Sequence, residues 1–179
     1  MKDKVLNLLY TDLCTRQPYG VKGTITIDIW DGDYDISSGL PIFRPMHVDV
    51  ELLSINENMD VALKPITDDK DLESYVSQYI SETILSIDDF TPYYRPVSDM
   101  TEEEMDKVFD ILGIDKTGED PSWIKINDAT GIQFLLPDGV YADDLIKVYD
   151  YLNSIHIDYR GLIDLGVAKE TTKIKFFEL

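Results

Sequence analysis

Apolar residues recur along the chain with two periods, and the switch between them divides it into helices and strands. Val5, Leu6, Leu9, Tyr10 and Leu13 fall at helical spacing, Cys14 extends the stripe, and Pro18 with Gly20 stops it, which predicts an amphipathic helix over 2–16. Thr24 to Trp30 then alternates with period two, and Asp31-Gly32 supplies a hairpin turn into a second strand around residues 34–36. Val48, Val50 and Leu52 alternate with His47, Asp49 and Glu51; beyond Asn56-Glu57-Asn58, Met59, Val61 and Leu63 alternate again, a second antiparallel pair.

Helical spacing returns at Leu72, Tyr75, Val76, Tyr79, Ile80 and Ile84, with Asp68, Asp69 and Asp71 at the end where the helix dipole favours anions. Residues 90–97 contain Pro92 and Pro96 and no helical period, so they are expected to be extended. Thr101 and Glu104 have capping-box spacing ahead of Met105, Val108, Phe109 and Leu112, and Gly113 ends that helix. Strands are predicted near 122–126 and 131–136. A helix over 141–154 follows, with Leu145, Val148, Tyr149 and Leu152 as its buried stripe, then a short helical turn over 158–166 closed by Gly166, and a last strand over 173–177. Blocks of strands joined by antiparallel turns and followed by helices predict an α+β fold: an antiparallel sheet of hairpins packed with three to four amphipathic helices.

A chain of 179 residues fits one domain, so a single domain over 1–179 is expected, with the Pro/Tyr segment 88–98 placed to hinge two lobes, 1–87 and 99–179. Apolar residues at 44% and aromatics at 11% exceed what a disordered acidic tail carries, so a packed core follows. Sixteen Lys and Arg against 35 Asp and Glu give a formal charge of -19, which repels phosphate backbones and makes direct nucleic-acid binding unfavourable. The charge serves either as a solubility shell or as attraction for a basic partner. Cys14 is the only cysteine, so there is no internal disulfide framework, as suits a reducing compartment. No signal-peptide pattern and no run of ~20 apolar residues is present, so the expectation is a cytoplasmic protein without membrane association.

Candidate chemistry is sparse. Cys14 with His47 or His156 as base would make a nucleophile, but its place beside an apolar stripe predicts packing instead. Asp28, Asp31, Asp33 and Asp35 form the densest carboxylate cluster. They miss the EF-hand pattern, because Ile36 and Ile42 stand where glycine and glutamate are needed; a solvated turn is expected, with weak cation binding on Asp31, Asp33 and Asp35 as the alternative. Glu102, Glu103 and Glu104 are accounted for by the helix cap and dipole, and His156 with Asp158 by a loop hydrogen bond. Tyr93, Tyr94, Arg95, Tyr159 and Arg160 are residue types of interface hot spots and mark a recognition surface, the competing reading being that the two loops pack on each other. Walker loop, dinucleotide fingerprint, HExxH, CxxC pair and nucleophile elbow are all missing, and no cofactor is expected.

Three segments, Leu9 to Val21, Tyr94 to Glu104 and Tyr151 to Ile163, carry "DLC…PYGV", "RPVSDMTEEE" and "DYRGLI" blocks. In these blocks, about a fifth of the chain, it resembles a family of short proteins without assigned activity from gut Bacteroidales and their phages. Gln17 in place of leucine, a single His156 in place of paired histidines, and Thr171-Thr172 in place of an acidic-apolar ending depart from that family's pattern. The resemblance implies a phage or mobile-element setting and no particular chemistry. The expected function is therefore a non-enzymatic acidic accessory protein that binds a protein partner, nucleic-acid mimicry being one form of it. The alternative is a small cation-dependent hydrolase built on the Asp-rich hairpin turn.

Overall fold

The computed structural model describes residues 2–114, 124–127, 131–134 and 141–171. The last strand expected over 173–177 and the outer ends of those expected near 122–126 and 131–136 lie outside the described residues. The fold is α+β, and the chain forms two compact units, one of residues 20–92 and one of residues 1–19 with 93–179.

The 20–92 unit is built on a long hairpin, β1 (Lys22–Tyr34) and β2 (Pro41–Ile55), followed by β3 (Val61–Pro65), α2 (Lys70–Glu82) and the start of β4 (Phe90–Tyr94), with α1 (Lys2–Arg16) belonging to the other unit. Its strand order is β3-β2-β1-β4, antiparallel throughout. Period-two patterning sends Ile25, Ile27, Val48, Val50, Leu52, Val61 and Leu63 inward, each buried apolar side chain stabilising by roughly 1.5–3 kcal/mol relative to exposure. Gly23 leaves no room for a side chain between β1 and β4: a Cβ there would sit 2.5 Å from the Thr91 carbonyl oxygen and 2.6 Å from the Phe90 ring. Asp69 caps α2 by accepting from the Asp71 and Leu72 amides, and Val76 is that helix's buried residue.

The turn of the β1–β2 hairpin does not fall at Asp31-Gly32. Gly32 (φ 92°) lies in an irregularity between Trp30 and Tyr34, after which β1 continues to Tyr34, and the reversal comes at 35–40. There Asp35 Oδ1 accepts from the amides and hydroxyls of Ser37 and Ser38, and the Asp35 amide donates to the Leu40 carbonyl at 2.8 Å. An aspartate that satisfies four donors is a stronger reversal signal than the Asp-Gly dipeptide upstream.

The other unit contains α1 (Lys2–Arg16), α3 (Glu102–Leu112), α4 (Ala142–Ser154) and β7 (Lys169–Glu170), which pairs in parallel with Tyr93 and Tyr94 at the end of β4. β5 (Ile124–Asn127) and β6 (Gly131–Phe134) make a separate antiparallel hairpin. Thr101 and Glu104 form the capping box that their spacing predicts, and Gly113 (φ 66°) closes α3 in the left-handed conformation. Val97, Val108, Leu112, Val148, Leu152, Ile157 and Tyr159 form this unit's core. On α4, Tyr149 is exposed instead of joining the buried stripe.

Candidate functional site

Residues of all three sequence blocks meet inside the unit of residues 1–19 and 93–179, through two buried ion networks. The first is centred on Arg95, immediately after β4. Its amide donates to the His156 carbonyl and its own carbonyl accepts from Asp158, so the segment after α4 lies alongside it as a parallel bridge. Its guanidinium forms a two-pronged pair with Glu104, Nη1 to Oε1 and Nη2 to Oε2, both at 3.0 Å, and Nη2 also donates to the Asp99 carbonyl at 2.7 Å. Glu104 Oε2 simultaneously accepts the Thr101 amide. One carboxylate thus caps α3 and neutralises a buried cation, a role that capping alone does not require of it.

The second network grows from α1. Its inward face is Leu9, Asp12, Leu13 and Arg16, all buried, whereas Cys14 is exposed, contrary to the expectation that it packs. Arg16 Nε donates to Asp12 Oδ2 at 2.8 Å, and Arg16 Nη2 donates to the Ile157 carbonyl at 2.7 Å. Arg160 Nε lies 2.9 Å from Asp12 Oδ1, so this single carboxylate faces two guanidiniums. The Arg16 guanidinium also stacks over the rings of Tyr94 (4.3 Å) and Tyr159 (5.1 Å). Burial, then the charge of Asp12, pushes the Tyr94 hydroxyl well above its ordinary range, so it stays protonated. Asp158 accepts from the Leu162 and Ile163 amides at 2.9 and 2.7 Å and fixes the turn that carries Arg160; burial nonetheless raises its pKa.

Against this frame lies a cleft of about 730 Å³ in the same unit. Its walls are Leu8 of α1, Ile146, Tyr149, Asp150 and Asn153 of α4, and the Tyr159-Arg160 turn. Tyr149 and Tyr159 lean on one another at 5.1 Å, and the Arg160 guanidinium sits 5.2 Å over the Tyr159 ring. Asp150 accepts a hydrogen bond from the Tyr19 hydroxyl. Asn153 is buried, and among the described residues its side-chain oxygen has no hydrogen-bond partner.

Of the residues that sequence singles out for recognition, Tyr93, Tyr94, Arg95 and Tyr159 are buried, and Arg160 is partly exposed. Tyr94, Tyr159 and Arg160 are brought together around Asp12 and Arg16; Tyr93 stands over Lys169 at 5.6 Å, and Arg95 belongs to the Glu104 pair. Asp12, Arg16, Tyr149 and Asn153 were not singled out by sequence. Of the carboxylates considered for a cation, Asp35 is occupied by its serine donors. Among the described residues no group of three or more His, Cys, Asp or Glu side chains is placed to hold a metal ion. Also among them, no helix is long and apolar enough to cross a membrane. No protein-family model, curated protein or solved structure matches the chain.

Proposed function

We propose that the protein is a non-enzymatic acidic binding module that receives a protein partner in the α1–α4 cleft, in the phage or mobile-element setting that its sequence blocks resemble. The observation that carries this reading is the support behind the cleft: Arg160 pairs with the carboxylate that it shares with Arg16, and the Arg16 guanidinium stacks on Tyr159, so the wall is pre-organised before anything binds. Tyrosine and arginine are the side chains that dominate interface energetics when so fixed. Leu8, Ile146 and Tyr149 offer an apolar bed, and Asp150 and Asn153 offer acceptors. The cleft therefore suits a protruding basic side chain whose stem lies on the bed and whose donors reach the acceptors. A chain of net charge -19 attracts such a partner from a distance.

The two carboxylates behind the Tyr159-Arg160 wall favour binding over catalysis. Asp12 faces two arginines and Asp158 holds two backbone amides, so both are spent on holding the turn in place. Affinity capture from host-type lysate at low and high salt, followed by calorimetry with the purified partner, tests the reading. Tyr149→Ala with Asp150→Asn is expected to weaken binding at least about tenfold while the fold survives, because both side chains are on the surface of α4. Equal affinity in that variant, or no stoichiometric protein captured at any salt, refutes the proposal. Binding that collapses with salt and is competed by DNA identifies mimicry as its form.

A further inference from the structure

Beyond Ile25 on β1 and Val50 on β2, the β1–β2 hairpin has no third strand beside it among the described residues. Its inner face stays partly covered, with Ile27 buried and Ile29 and Met46 half-buried. The opposite face carries the pairs Thr26 with His47, Asp28 with Pro45 and Trp30 with Phe43, and all six residues are exposed. Trp30 and Phe43 are direct cross-strand partners, and the irregularity at Gly32 returns Tyr34 to Trp30, ring edge to ring face at 5.5 Å. The three aromatics are 46%, 53% and 57% exposed, and Ile36 and Leu40 are exposed at the tip. The three rings, of about 150–250 Å² each and roughly half uncovered, present on the order of 300 Å² of apolar surface, to which Ile36 and Leu40 add at the tip. Apolar patches of that size are often functional.

We infer that this aromatic face of the β1–β2 hairpin docks into an apolar groove rimmed by Lys and Arg on a partner protein. The inference rests on the partner-binding reading above but places a second contact on the other unit. Charge selects the occupant. Between residues 28 and 46 the chain carries four aspartates, Asp28, Asp31, Asp33 and Asp35, against one cation, Arg44. Anionic lipid would meet this excess of negative charge unfavourably, and a second copy would bring the same excess and another -19 of charge. Strand addition is disfavoured as well: β2 starts at Pro41 and carries Pro45, which cannot donate to an added strand, and the irregularity interrupts β1, both devices that protect sheet edges. Recognition therefore uses side chains: rings inserted into a groove, carboxylates meeting its basic rim.

The full chain is immobilised and used to select from a display library of random peptides, and the affinities of the selected peptides are measured at about 50 and about 500 mM salt. The expected peptides combine aromatic or branched aliphatic residues with several Lys or Arg. Trp30→Ser with Phe43→Ser weakens them at least about thirtyfold, Tyr34→Ser weakens them in the same direction, high salt weakens them further, and Tyr149→Ala with Asp150→Asn leaves them unchanged. These substitutions are at exposed positions, so an unchanged melting curve separates lost binding from lost fold. Any of the following overturns the inference: no enriched peptides, neutral or acidic peptides, or peptides held equally by the Trp30/Phe43 variant. Peptides lost only with the Tyr149/Asp150 variant overturn it too, while leaving the cleft as the binding site. A doubled mass in solution that the Trp30/Phe43 variant abolishes makes a second copy the occupant. A blue-shifted Trp fluorescence with phosphatidylcholine–phosphatidylglycerol vesicles makes it lipid.

Discussion

Glu104 caps a helix and neutralises a buried cation at once, and replacing it by glutamine separates the two tasks. Glutamine keeps a carbonyl oxygen for the Thr101 amide, so the capping box survives. It cannot supply the charge that faces Arg95, whose side chain is 2% exposed and whose two bonds to Glu104 are both 3.0 Å. Removing one member of a buried pair costs about 3–5 kcal/mol, because the other is stranded away from water. The retained acceptor and the Asp99 carbonyl, 2.7 Å from Arg95 Nη2, keep Glu104→Gln at the lower end, about 3 kcal/mol. Urea denaturation followed by circular dichroism measures it, and a melting point lower by about 6–12 °C accompanies it for a chain of this size. Adding Arg95→Met removes the stranded charge, so the double variant is expected to be more stable than the sum of the two single costs implies, by about 2 kcal/mol. A cost for Glu104→Gln below about 1 kcal/mol, the size of an exposed pair, would refute the reasoning, as would a coupling near zero.

Gly23→Ala places a methyl group against the Thr91 carbonyl and the Phe90 ring, so β1 and β4 must part; a loss of about 2 kcal/mol or more in urea denaturation is expected, with faster amide exchange at Ile25. The Ser37 hydroxyl, followed by the Ser38 amide, the Ser38 hydroxyl and the Ser37 amide, holds the Asp35 carboxyl down to about 2 from 3.8. Its stabilisation is thus present above 3.8 and lost as pH falls through about 2; a carbon-detected NMR titration reads the value, and Ser37→Ala moves it up towards 3.8. For Asp158, burial raises the folded pKa above 3.8, so between 3.8 and that value the folded state binds the proton more tightly and stability falls as pH rises. Asp158→Asn is expected to flatten that slope in urea midpoints taken across the window, and an unchanged slope would count against the assignment.

Where local chemistry and tertiary packing agree, the sequence is readable. The Thr101–Glu104 cap, the Gly113 stop and the α1, α2 and α4 helices stand where spacing puts them, since each is decided within a few residues. The Asp-Gly dipeptide misleads because Gly32 supplies a positive φ for an irregularity as readily as for a turn, and only the donors on Ser37 and Ser38 tell where the reversal falls. The ion networks are harder to read. Asp12 and Arg16, four residues apart on a helix, look like a solvated surface pair; the sole hint is that they share a face with Leu9 and Leu13. Following the apolar stripe instead leads to Cys14, which is exposed. Arg95 and Arg160 are visible as residue types, but whether they face outward or inward depends on partners far along the chain, and no local pattern encodes that.

The discontinuity of one unit sets an order on how the protein can be made. Residues 20–92 are contiguous and can close their sheet as soon as Pro92 is available. Helix α1 is synthesised before the 20–92 unit yet is finished after it: Arg16 reaches the Ile157 carbonyl across 141 residues of chain, and Asp12 waits for Arg160. Until then the helix carries an aspartate and an arginine beside Leu9 and Leu13 on the face that will be buried. Those charges, answered only by each other in the meantime, keep the waiting helix soluble and become an asset to the core only when the far end of the chain arrives.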